Sequence, residues 1–289
     1  MRLALREARE HAGLTQQQVA DEMEWSLSKV IRIENGDVTI APNDLRPLLN
    51  YLSVKDKAVI AALLVDARIA RTRQRQAWHQ KPQFRDVLSD AHRKLIEYEA
   101  EATAIRYFSI YFIPGPLQIP AYAKALMQLY VGEMPEQRIE AVLEARKRRG
   151  EALLSRVGSV ELFVLLDESV LMRPLGGAAV FTEQLRELQR LATEGAIKLR
   201  MVPFTLDAPV TNNASFDLLS LDVDDEGMLL YHENGLSDEV IEAKATTMRH
   251  RIRYDRVWQE ALDEADTIDF IRKRTDSEAA ATVRQREPR

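Results

Sequence analysis

Apolar residues recur every three or four positions along the first 75 residues, and the polar residues between them mark where helices start and stop. Leu3, Leu5, Ala8 and Ala12 form the first run. Gly13 follows it, where a left-handed residue closes a helix. Thr15 precedes Gln18 by three positions, the spacing of a capping box. Val19, Ala20 and Met23 make one short apolar face, and Glu24-Trp25 reads as a turn. Ser26 is placed as the N-cap of a third helix in which Val30 and Ile33 face inward. Leu27, Ser28, Lys29 and Arg32 then point outward, and Asn35-Gly36 ends the helix. Ile31 is an apolar residue on the outward side, suited to a protein contact or to the edge of a binding surface.

The pattern predicts five helices in this head, over 2–12, 15–23, 26–35, about 43–52 and about 55–75. Pro47 falls early in the fourth, where it does least harm. The fifth is amphipathic through Ala58, Ile60, Leu63, Leu64, Ala67 and Ile69, and it ends in Arg68, Arg71, Arg73 and Arg75. Those cations suit the negative end of the helix dipole.

Trp78–Pro82 marks a break. Beyond it the spacing predicts a long helix from about Asp90 to Phe108, with Leu95, Tyr98, Ala102 and Ile105 on one face. Ile113–Pro120 is rich in Pro and Gly but apolar, so it should pack down rather than flex. Helices follow at about 120–131 and 136–156. Val160–Leu166, Thr182–Thr193 and Ile197–Val202 then read as strand, helix and strand, which favours parallel pairing with a right-handed crossover. Phe216–Leu221 and Met228–His232 read as a hairpin around a turn-rich segment. A last helix is expected over about Asp238–Asp263, and a disordered tail from about Thr275.

The expected fold class is therefore a mainly α five-helix head, followed by a helical region and an α/β domain with a small mixed sheet. The corresponding domains are 1–75, then 76–273 (helical over 76–157, α/β over 158–273), with 274–289 as tail.

Composition narrows the chemistry. A chain of 289 residues with 46% hydrophobic content can build two ordinary cores. The absence of Cys removes disulfides, Cys-ligated zinc, iron–sulfur clusters and thiol nucleophiles. Charges at Glu7, Arg9 and Glu10 interrupt any signal-like N-terminus. No apolar run reaches the ~20 residues that span a bilayer, so no membrane role and a cytoplasmic location are expected.

The five histidines, His11, His79, His92, His232 and His250, are scattered without i, i+4 pairs. His232-Glu233 would point to opposite faces of a strand. His92-Arg93-Lys94 with Glu99 echoes a phosphodiesterase motif, but in one copy, in a helix and ending in Glu. Asp167-Glu168, at a strand end where α/β sites often gather residues, reads as a charge pair at a helix N-terminus rather than as a catalytic pair. Gly176-Gly177 lacks the Lys of a phosphate loop and reads as a turn. No catalytic residue, metal or cofactor is expected, and the chain is not read as an enzyme.

The run Leu14-Thr15-Gln16, Val19-Ala20, Trp25-Ser26, Ser28-Lys29-Val30 and Arg32-Ile33-Glu34-Asn35-Gly36 resembles the Xre (Cro/C1-type) helix-turn-helix. The resemblance implies a helix set into the major groove of double-stranded DNA. It places base reading on Leu27, Ser28 and Arg32, and phosphate holding on Gln16 at the start of the second helix. Thr15, Gln17, Ser26, Lys29 and Asn35 complete the DNA-binding candidates, with Lys29 read as a phosphate contact. The arginines after Ile69 would reach the DNA backbone if they do not serve the helix dipole.

A second resemblance covers the rest. Glu99–Ala102 with Ile105-Arg106, Pro114–Gln118 with Tyr122-Ala123, Asp167-Glu168, Arg173-Pro174 with Gly176-Gly177, and Val202–Phe204 occur in order. They resemble the domain of unknown function that follows such heads in WhiJ-like, antitoxin-like actinobacterial regulators. That domain often carries Gly and His after the Pro-Phe pair, whereas this chain has Thr205–Val210. The resemblance implies a transcriptional regulator whose second domain receives a signal or a small protein encoded nearby. A small-molecule effector is a further candidate, with Ile110–Ile119 and Val202–Phe204 as walls for it.

Charge fits that division. Residues 1–75 carry 12 Lys/Arg against 10 Asp/Glu, and the remainder 28 against 35, giving −5 in all. So mild a basic excess allows few phosphate contacts per head, which implies a homodimer.

Overall fold

A computed structural model describes residues 2–36, 38–208, 214–221, 227–233 and 238–286. The chain divides into two compact units, 1–82 and 83–289. The division falls at the Trp78–Pro82 break, whereas residue 75 lies within the fifth helix.

The first unit holds α1 (Arg2–His11), α2 (Gln16–Glu22), α3 (Leu27–Glu34), α4 (Pro42–Tyr51) and α5 (Lys57–Gln76). Leu5, Val19, Ala20, Val30, Ile33, Leu45, Leu49 and Leu64 lie in one buried cluster. Pro42 stands at the start of α4, and Pro47 is accommodated inside it. Arg68, just past the middle of α5, is exposed, while the side chains of Ile69, Arg71, Arg73 and Arg75 lie outside the described residues.

The second unit begins with α6 (Pro82–Arg85) and α7 (Asp90–Glu99), and then enters β1 (Ala104–Ser109). The long helix expected over 90–108 is thus a ten-residue helix followed by the central strand of the sheet. Every residue of β1 is buried, so it shows no inward–outward alternation. Ala102 and Ile105 are core residues that happen to continue the spacing of Leu95 and Tyr98.

The segment Ile113–Pro120 packs down as expected, through Ile113, Pro116 and Leu117. It leads into α8 (Pro120–Met127) and α9 (Glu136–Leu154), then β2 (Glu161–Asp167), α10 (Glu168–Met172), α11 (Ala178–Thr193) and β3 (Lys198–Val202). Beyond these lie β4 (Phe216–Ser220), β5 (Met228–Glu233), β6 (Asp238–Ile241), α12 (Lys244–Glu260) and α13 (Glu264–Arg286). The expected helix over 238–263 therefore gives up its first turn to a four-residue edge strand. The expected tail from about Thr275 instead continues α13 as far as Arg286, and that helix is anchored upstream by Thr267, Ile271 and Thr275 at four-residue spacing on a buried stripe. Residues 287–289 lie outside the described residues, as does the centre of the β4–β5 turn.

The sheet has the order β3-β2-β1-β4-β5-β6. β1, β2 and β3 run parallel, while β4, β5 and β6 pair antiparallel from β1 outward. One face, with Ile105, Tyr107, Val164 and Leu219, is covered by α7, α8, α9, α10, α11 and α13. The other face, with Phe108, Leu165, Phe216 and Leu230, is covered by Tyr254, Val257 and Trp258 of α12. The result is a three-layer α/β/α unit with a mixed sheet.

A polar cluster is buried in the first of those faces. The carboxylate of Glu99 accepts two hydrogen bonds from Arg149, at 2.6 Å from Nε and 2.7 Å from Nη2. The Tyr107 hydroxyl donates to it at 3.3 Å. Asp217 stands 3.7 Å from Arg149 Nη2, and His92 Nε2 is 3.4 Å from Nη1. Burial lowers the Arg149 pKa and Glu99 more than restores it, so the guanidinium stays charged. Burial also lifts the Tyr107 hydroxyl far above its ordinary range. Gly150 is needed alongside, since a Cβ there would lie 2.7 Å from the carbonyl oxygen of Pro116.

Arg149→Met leaves Glu99 buried without its partner and is expected to cost about 3–5 kcal/mol. The double variant Glu99→Leu/Arg149→Met should lose less than that single change, as read from urea denaturation midpoints. A second expectation concerns pH. Burial, then Arg149 and Arg146, push His92 down to about 3. The unfolded chain takes up this proton near pH 6.5 and the folded chain does not until near pH 3. The contribution of His92 is therefore intact above pH 6.5 and is lost as the pH falls, at no more than about 1.4 kcal/mol per pH unit. Denaturation series over this range should show a shallower slope for His92→Gln than for the parent.

Candidate nucleic-acid interface

The turn between α2 and α3 is set by local chemistry. The Thr15 hydroxyl accepts from the Gln18 amide at 3.2 Å, and the Gln18 side chain accepts from the Thr15 amide at 2.8 Å. This closes the capping box on α2. The Ser26 hydroxyl accepts from the Lys29 amide at 3.2 Å and caps α3. Between them Glu24 takes φ +55°, in the left-handed region. A non-glycine residue there costs about 1–2 kcal/mol. The tight reversal is nonetheless held, with the Trp25 amide donating to Ala20 at 2.8 Å.

One buried carboxylate ties α3 to the rest of the head. Glu34 accepts from Arg9 at 2.7 Å on Oε1 and at 3.1 Å on Oε2, and from Gln16 Nε2 at 2.8 Å. The hydrogen bond to Glu34 raises the Arg9 pKa, against the opposing effect of burial. Arg9 also donates to the Leu14 carbonyl at 2.9 Å, and Arg6 to the Glu34 carbonyl at 3.3 Å. α1, the start of α2 and the end of α3 are thus fastened at one point. Sequence reading missed this. The position of Glu34 on the inner face was legible, since it lies four residues after Val30. Its partner, 25 positions away, carried no local signal.

The nine candidate residues fall into three groups. Leu27, Ser28 and Arg32 are exposed on α3, and no side-chain partner holds them among the described residues. Thr15 and Ser26 serve as caps, and Gln17 donates to Asp21 at 2.7 Å along the surface of α2. The remaining three are held against the head. Gln16 commits a donor to Glu34, and Asn35 accepts from Arg6 at 3.2 Å. The Lys29 ammonium sits 3.8 Å from the Trp25 ring centre and 3.2 Å from Asp44. Ile31 is half-buried.

The second unit gathers little that resembles a reaction centre. Asp167 accepts from the Ser169 amide at 2.9 Å, and Glu168 accepts from the Phe204 amide at 2.7 Å. Gly176 and Gly177 take φ +81° and +87° in the turn before α11. Among the walls suggested for an effector, Val202 is a core residue and Phe204 is exposed. The His232 and His250 rings meet at 5.3 Å, although no sequence spacing linked them. Among the described residues no group of three or more His, Asp or Glu is placed to hold a metal. No helix of the described residues is long and apolar enough to cross a membrane.

Comparison with known proteins agrees with this division. Residues 1–63 match a family described as a helix-turn-helix domain. Residues 92–273 match the family described as a domain of unknown function, DUF5753. That match spans more than half of the chain, which therefore belongs to the DUF5753 family. No curated protein and no solved structure matches the chain. The N-terminal match marks a DNA-binding domain with a role in transcription.

Glu34→Ala leaves Arg9 and Gln16 without their acceptor. It should destabilise the head by about 3 kcal/mol or more. The thermal midpoint of the head should fall, and DNA affinity should drop alike on every sequence, because the loss is one of presentation.

Proposed function

We propose that the chain is a sequence-specific transcriptional regulator that binds double-stranded operator DNA as a homodimer. The observation that carries the reading is the state of α3. Its two ends are fixed by Ser26 and Glu34, while Leu27, Ser28 and Arg32 remain exposed and uncommitted. An arginine so placed can present two donors to guanine, and leucine can meet a thymine methyl group. Ser28 can bond a base edge or a phosphate. Thr15, Gln16, Gln17, Ser26 and Asn35 line the two helix ends that face a backbone in this reading. Lys29 would exchange Asp44 for a phosphate.

Dimerisation is supported by the small basic excess of the head, which leaves each copy few phosphate contacts. The DUF5753 unit receives a signal or a partner, and the cytoplasm, where the DNA is, is the proposed location. No catalytic step is assigned, because Asp167 and Glu168 are spent on backbone amides.

A second reading makes partner binding primary, in an antitoxin-like arrangement, with DNA binding as autoregulation. The uncovered outer face of α12, taken up below, favours it. A small-molecule effector has less behind it: Ile110 packs in one core with Val202, but Ile113, Leu117 and Ile119 of the same wall belong to the core on the opposite face of the sheet, and Phe204 is exposed.

Titration of purified protein against its own upstream DNA and a scrambled duplex, at near-physiological salt, tests the first reading. The expected result is a specific complex and a footprint of two half-sites about one helical turn apart. Arg32→Ala should cost about 1–3 kcal/mol and relax specificity at one base position. Equal losses on operator and scrambled DNA would remove the reading role from Arg32.

A further inference from the structure

α12 covers the sheet with one side and leaves the other bare. Thr247, His250, Tyr254, Val257 and Trp258 are buried beneath it. The opposite side carries Ala245, Met248, Arg249, Ile252, Arg256 and Gln259, all exposed. Ile252 is 62% exposed and Met248, one turn earlier, 36%. Arg249 and Arg256 flank them two turns apart, and neither has an ion-pair or hydrogen-bond partner among the described residues.

The charge of this helix runs against its surroundings. Lys244, Arg249, Arg251, Arg253 and Arg256 stand against Asp255 and Glu260, in a C-terminal portion with 28 Lys/Arg against 35 Asp/Glu. Asp255 is taken by Arg251 at 2.7 Å, to the side of the stripe. An apolar pair at i, i+4 between arginines is the half-pattern that helix docking uses, and Arg and Met are enriched at interface centres.

Charge selects the occupant. A second copy docked antiparallel about the middle of the same stripe would bring Arg249 of each copy toward Arg256 of the other, and these like charges repel. A nucleic acid would satisfy the arginines but press Ile252 and Met248 against phosphates. An acidic helix with apolar residues one turn apart satisfies both.

We propose that the outer face of α12 docks a partner protein through an acidic amphipathic helix, with Ile252 and Met248 as anchors and Arg249 and Arg256 as its charge readers. The proposal rests on reading the DUF5753 unit as a receiver of partners, and is independent of which DNA the head reads.

The test uses the full chain and synthetic helical peptides of about 18 residues, or five turns. One has Leu at i, i+4 positions flanked by Glu, one has Lys in place of every Glu, and one is a shuffled acidic control. Fluorescence anisotropy should show the acidic amphipathic peptide binding about tenfold or more tightly than either control, a difference of about 1.4 kcal/mol. Ile252→Asp should weaken it about tenfold. Arg249→Glu/Arg256→Glu should transfer the preference to the Lys peptide.

These positions are exposed, so unchanged thermal midpoints are expected. Unchanged operator binding by the same variants separates this proposal from the reading of the head. Equal binding of all three peptides overturns the proposal, as does indifference of the acidic peptide to both variants. Loss of duplex DNA binding in the double variant, with peptide binding intact, overturns it in favour of a nucleic-acid surface.

Discussion

Taking a carboxylate out of water costs least where a guanidinium meets it with two hydrogen bonds, and each unit of this chain is assembled around one such pair. In the head, Glu34 and Arg9 join the end of α3 to α1, with Gln16 bringing in α2. In the second unit, Glu99 and Arg149 join α7 to α9 above Tyr107 of the central strand. Such pairs contribute little net stability, because desolvation offsets most of the attraction. Their value lies in geometry, since the fork of Arg fits a carboxylate in one arrangement. Fixed in this way, α3 keeps Leu27, Ser28 and Arg32 in constant relation to the rest of the head. The apolar contacts of Val30 and Ile33 alone would tolerate small rotations.

What was legible in the sequence was what is decided locally. The capping box at Thr15, the cap at Ser26 and the outward set Leu27, Ser28 and Arg32 depend on neighbours within four positions. The parallel pairing of β2 with β3 and the antiparallel pairing of β4 with β5 followed from their connections. β1 was read as helix because a strand buried on both faces loses its period of two, and its apolar residues extend the spacing of α7. The part of α13 from Thr275 onward was read as a tail because its Ser, Ala, Gln and charged residues carry no apolar period. The internal partners of Gln16, Lys29 and Asn35 were equally hidden. Gln16 and Asn35 depend on residues at least 18 positions distant, and Lys29 on Asp44, 15 positions away.

The mixed sheet also explains where the second unit has surface to spare. Among the described residues six helices crowd one face, and α12 supplies most of the other. Among the described residues α12 has no neighbour on its outer side. The composition of that side is then answerable to solvent or to another molecule. At the carboxyl ends of the parallel strands, where α/β proteins often gather reactive groups, Asp167 and Glu168 are consumed in holding α10 and the Phe204 turn in place. The fold here keeps its acidic groups for construction.

Gly150 carries that logic into heredity. It follows Arg149 on α9, and its missing side chain is what lets the helix lie against the carbonyl of Pro116. Every missense change at its codon adds a Cβ at 2.7 Å from that oxygen, so none is conservative. The helix and the Pro114–Leu117 turn would separate, and the guanidinium would be drawn away from Glu99. A position outside the helix-turn-helix unit is thereby closed to variation.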